Sequence, residues 1–184
     1  SESDDKYEPF DADKIFEGEP TQPDPGVHLL DVIDAAAQQY YSSEEKVLEG
    51  GGRDPAELAD LEKLYGDFRG PRDQWIKYLV NPRVPTLWHY RLPSTIKAKV
   101  EVRAIKKAKN PNAQRKLLPA VPAGYLFGPP RRRHPLGISG GGAVTQAWIE
   151  ELPMKLSTFD IESFFTYIIL PEWMQVYLAA PPVH

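Results

Sequence analysis

Five residues, Gly137-Ile138-Ser139-Gly140-Gly141, spell the G-x-S-x-G pattern in which a serine hydroxyl sits exposed on a tight turn. That chemistry needs a strand ending just before the serine. Pro129, Pro130 and Pro135 stand where the strand would run, and proline gives a ladder no backbone donor. The match is read as chance within a glycine-rich loop. The same glycines lack the spacing and the lysine of a phosphate-binding loop.

Other catalytic chemistry is equally poorly supplied. His28, His89, His134 and His184 lie far apart and form no H-x-x-H spacing, so no zinc site is expected. The chain has no cysteine, which excludes disulfides, thiolate metal sites and cysteine nucleophiles. Among the carboxylates only Glu162 and Glu172 fall in apolar surroundings, and both are read as facing solvent or a basic partner. The chain is therefore read as non-enzymatic, with no catalytic residue, no cofactor and no metal. A small hydrolase built on Ser139 is the least favoured alternative.

What remains is binding chemistry. Arg131, Arg132 and Arg133 stand together between prolines, on chain that neither helix nor central strand can cross. Guanidinium forks suit carboxylates or phosphates, so the triplet is expected to dock on an acidic partner subunit or anionic lipid. Lys97, Lys99 and Arg103 belong to a second basic cluster that continues through Lys106, Lys107 and Lys109. Trp88, Tyr125 and Phe127 are large anchors on chain expected to be extended, and are assigned to the same docking role. Nucleic acid is not the expected partner. The isoelectric point is about 5.6, and the acidic flanks would repel phosphate.

The elements that must position these groups are read as follows. Residues 1–26 form an acidic extended tail, disordered by itself, with Tyr7, Phe10, Ile15 and Phe16 as its anchors. Residues 27–118 open with a helix over 27–49, stopped by three glycines. A second helix starts at Asp54-Pro55 with strong capping signals and makes an antiparallel hairpin with the first. A short third helix spans 72–80, with Trp75, Ile76, Leu79 and Val80 facing in. Period-two alternation then predicts one edge β-strand over 94–105, followed by a turn or helix at 106–111. That strand has no obvious partner except 125–127, and so offers its edge to another protein. Residues 119–142 are an extended Pro/Gly-rich segment carrying the arginine triplet. Residues 143–184 are apolar C-terminal helices over 143–152 and 157–170, with a last turn after Pro171.

The fold class expected is thus mainly α, with a helical hairpin and short C-terminal helices joined by long Pro-rich segments. Charge is segregated. Residues 1–70 carry 19 acidic and 6 basic side chains, residues 71–136 carry 2 and 15, and residues 137–184 carry 5 and 1. No apolar run is long enough to span a membrane, since 161–180 is interrupted by Glu162, Pro171 and Glu172. Bulky aromatics on chain that cannot bury them alone point to an accessory or structural subunit of a large multi-protein assembly. A start without methionine and an apolar C-terminal part suggest a mitochondrial membrane complex, respiratory chain or ATP synthase, with the protein peripheral to the inner membrane. An organelle ribosomal protein and a viral or phage structural protein are the alternatives.

Overall fold

The computed structural model describes residues 7–19, 26–86, 88–129 and 167–182. The Arg131–Arg133 triplet, Ser139 and the helix expected over 143–152 lie outside the described residues, as does most of that over 157–170.

The first local signal that holds is at Asp54. Its side chain accepts the Ala56 N–H, Pro55 takes the first helical position, and helix α4 runs Pro55–Tyr65. Helix α5, Arg72–Leu79, follows Pro71. The helix expected over 27–49 is instead cut into pieces. Val27–His28 is strand β2, a 3-10 turn covers Leu29–Asp31, α2 spans Ala35–Tyr41 and α3 spans Glu44–Leu48. Two internal caps explain the cuts. Asp34 accepts the Ala37 N–H, and Ser43 accepts the Lys46 N–H, so each starts a new helix.

The protein is mixed α/β rather than mainly helical with one edge strand. Strand β1 (Tyr7–Glu8), β3 (Arg103–Lys107) and β4 (Asn110–Leu117) make an antiparallel sheet in the order β1-β3-β4. The expected strand is therefore shifted C-terminally and sits in the centre of a sheet. Its hairpin partner, β4, is poor in β-formers and begins Asn-Pro-Asn. A second, parallel pair joins β2 to β5 (Ile168–Ile169). Residues 97–100 are extended but bond elsewhere: Lys97 and Ala98 N–H reach the Val176 carbonyl, and Val100 N–H reaches that of Ala179.

One core gathers Phe10, Ile15 and Phe16 against Trp75, Tyr78, Val84, Val102 and Ala104. Phe10, Ile15 and Phe16 come from the segment expected to be disordered by itself. They are ordered by α1 (Ala12–Gly18), capped by Asp11, on the protein's own core. The rings of Phe16, Tyr78, Trp75 and Phe68 stack in succession at centroid spacings of 4.9, 5.4 and 4.9 Å. On α5 the inward residues are Trp75 and Tyr78, whereas Ile76 and Val80 face water at 39% and 74% exposure.

A second cluster packs Ala98, Ala123 and Tyr177 with Phe127, Trp173 and Val176. It uses α6 (Val121–Leu126) and α7 (Glu172–Gln175). Thus 121–126 is helical, where extended chain was expected, because Pro122 occupies the first turn and loses no helical bond there. The glycines around it form a seam. A Cβ on Gly51 would lie 1.9 Å from the Leu126 carbonyl oxygen, and one on Gly128 would lie 1.8 Å from that of Glu49. Backbones touch there, so the glycine run near residue 51 serves packing as well as ending α3.

Candidate interaction surface

Glu101 is one of only two acids in the basic middle of the sequence, and it is fully buried. Burying a carboxylate is costly unless cations and donors meet it. Arg69 supplies one, its Nε donating to Oε1 at 2.9 Å, and Arg103 Nη2 donates to Oε2. Arg69 reaches this point because chain after α4 bonds to the approach of β3. Arg69 N–H donates to the Val102 carbonyl at 2.8 Å, and Val102 N–H to that of Asp67. Arg69 Nη2 also donates to the Leu64 carbonyl at 2.8 Å, satisfying an orphan acceptor of the last turn of α4.

The Arg103 guanidinium lies over the Tyr7 ring, 4.8 Å from its centroid. The bond to Glu101 holds its pKa above the ordinary arginine value, so it stays charged throughout the physiological range. Its Nε is buried without a hydrogen-bond partner. Arg69 and Arg103 are not withdrawn with their carboxylate: their side chains are 54% and 24% exposed. Around them opens a concavity of about 320 Å³, lined by Tyr7, Leu64, Tyr65, Arg69, Glu101 and Arg103 with parts of Glu8 and Ala104. Leu64 and Tyr7 are about half exposed there.

A second charged cluster is closed. Lys116 Nζ lies 2.5 Å from Glu19 Oε1 and 2.5 Å from the Tyr78 hydroxyl, over the faces of Tyr78 and Trp88. Trp88 Nε1 donates to the same hydroxyl at 3.1 Å. Burial pushes the Lys116 amine down and the Tyr78 phenol up from their ordinary values. Little of the cluster's side-chain surface reaches water, and it ties α1, α5 and β4 together.

The binding residues expected from sequence fall into different settings. Lys97 pairs with Glu44 at 2.5 Å and lies over the Tyr177 ring. Its bond to Glu44, followed by that of Tyr177, holds the Glu44 carboxyl below its ordinary range. Lys99 bridges to Ala179 through backbone. Of the basic cluster, Arg103 alone joins the concavity. Trp88 is half-buried on Tyr78, Tyr125 accepts the Asp54 N–H at 3.1 Å, and Phe127 packs on Tyr177, so these rings serve the fold. Sequence reasoning missed Tyr7, Leu64, Tyr65, Arg69 and Glu101. The one available signal was Glu101, a lone acid within the alternating basic strand.

Among the described residues no group of acids and histidines is placed to hold a metal, and no helix is long and apolar enough to cross a membrane. No protein-family model, curated protein or solved structure matches this chain.

Proposed function

We propose that the protein is a non-enzymatic subunit of a larger protein assembly, held there by side chains that its own core leaves uncovered. The observation that carries this reading is the exposure of large apolar groups on fixed backbone. Val80 is 74% exposed, Leu92 71% and Tyr90 64%. Tyr90 is not loose chain, since its hydroxyl donates to the Leu79 carbonyl at 2.9 Å beside Val80. Each such group gains if a partner removes it from water, at roughly 25 cal/mol per Å² of apolar area. The mitochondrial setting rests on the sequence reading alone.

The test is the native size of the protein. In extract from its source, the parent chain should sediment far above its own 20.8 kDa. Val80→Glu with Leu92→Glu should move it to the free fraction while leaving its circular dichroism unchanged. A parent chain that runs as a free monomer in that extract overturns the reading.

A further inference from the structure

The open face of the β1-β3-β4 sheet has a defined chemistry. Register places Tyr7, Ile105 and Arg115 side by side across the three strands, and Arg103 beside Leu117. The opposite face carries Ala104, Gln114 and Lys116, which are withdrawn into the fold. At one end of the open face, the last turn of α4 brings Leu64 and Tyr65 to the rim of the concavity. Three arginines therefore border apolar and aromatic surface: Arg69, Arg103 and Arg115. Their central acid, Glu101, has no exposed surface. Glu8 turns towards Gln114 and Lys106, and Asp67 bonds the Phe68 N–H. The balance of accessible charge at the concavity is positive, beside the apolar and aromatic surface of Tyr7, Leu64 and Tyr65.

We propose that this concavity docks an acidic segment of a partner protein. One aromatic or aliphatic side chain of that segment fills the space between Tyr7, Leu64 and Tyr65, flanking carboxylates meet Arg69 and Arg103, and the segment runs on across the open face to Arg115, which stands outside the concavity. The inference rests on the assembly-subunit reading and names the chemistry of one partner. The guanidinium groups favour it, because they take carboxylates through paired N–H donors and are presented in place by Glu101 and the Tyr7 ring. A continuous phosphate backbone fits less well, since only Arg69 and Arg103 supply cations in the lining and the surface between them is Tyr7, Leu64 and Tyr65.

The experiment uses the full chain and a fluorescein-labelled nonapeptide of aspartate and glutamate with one central tryptophan. Fluorescence anisotropy at physiological salt should show binding at least about tenfold tighter than for the same peptide with central glycine, or with lysine in place of every acid. Leu64→Glu and Arg115→Glu, both at exposed positions, should each weaken binding about fivefold or more, and Val80→Glu should not. Equal binding of the lysine peptide, tighter binding of a single-stranded RNA dodecamer, or indifference to both variants overturns the proposal. Absence of peptide binding also overturns it. If the parent chain still sediments with its assembly, and Val80→Glu with Leu92→Glu releases it, the assembly reading stands and this docking site alone falls.

Discussion

Glu101 and Glu19 are both carboxylates drawn out of water, and both are met by cations, yet their surroundings differ in kind. Glu19 and its partner Lys116 keep only 9% and 10% of their side-chain surface, and aromatic faces close over them. Glu101 has none, but its arginines reach outward, with Arg69 more than half exposed. In the first cluster the cation is enclosed and bonds Glu19 and the Tyr78 hydroxyl inside the fold. In the second the carboxylate acts as an internal anchor that fixes two cations at the surface. A buried ion pair is weak evidence for stability by itself, because desolvation offsets the attraction. What distinguishes the two clusters is whether the cations remain available to a partner.

The comparison breaks most visibly at Lys116. Lys116→Met leaves the Glu19 carboxylate buried beside an apolar chain, and should cost about 3–5 kcal/mol in urea unfolding. Adding Glu19→Leu should recover most of that loss, as replacing a whole buried pair is often neutral. If the double variant is no more stable than Lys116→Met, the pair is not acting as a closed unit.

Glu101→Leu should cost less, about 1–3 kcal/mol, because Arg69 can turn into water when its partner is gone. The same variant should weaken the acidic peptide, since the two guanidinium groups lose their anchor. Unchanged peptide affinity would show that the arginines are held by other contacts.

Tyr78→Phe sharpens the contrast through pH. Burial raises the Tyr78 phenol above its ordinary pKa of about 10. Above that pH the unfolded chain gives up the proton and the native protein keeps it. The native state then binds more protons, so stability falls as pH rises from about 10. The depressed Lys116 amine acts in the opposite sense, so thermal melting should show the parent chain losing stability relative to Tyr78→Phe as pH rises past about 10. Equal slopes would mean that the hydroxyl is reached by water.

The smallest effects belong to the exposed positions Leu64 and Arg115. Leu64→Glu and Arg115→Glu should change stability by no more than about 0.5 kcal/mol, as exposed substitutions usually do. A larger loss on unfolding would mean that these side chains belong to the core.

Much of the helical architecture was readable where the signal is local. Asp54-Pro55 and Pro71 mark the starts of α4 and α5, because a cap acts within one turn of chain. Asp34 and Ser43 carried the same kind of signal, but the apolar spacing across them suggested one long helix. Strand β4 was not readable. Its inward residues Gln114 and Lys116 are polar, and become interior groups only because Glu8, Pro9, Asp11 and Glu19 arrive from a hundred residues away. Tyr78 was passed over beside Ile76 and Val80 for a similar reason: hydropathy favours the aliphatics, while burial of a tyrosine depends on distant partners for its hydroxyl. The concavity required both kinds of distant pairing at once, so only Glu101 hinted at it.

The extended run at 97–100 has a consequence for how the chain is made. The amides of Lys97, Ala98 and Val100 are satisfied by the carbonyls of Val176 and Ala179, and Trp75 Nε1 donates to the Pro181 carbonyl inside the core. A ribosome that has released residues up to 129 has therefore delivered all three strands of the β1-β3-β4 sheet but not the carbonyls that close over the run at 97–100. Those earlier segments must wait with unpaired amides, and for that interval they are open to wrong pairing. These bonds can close only after residues 176–181 are made, and a translational pause before residue 170 should lengthen the exposure of the run to chaperones and proteases.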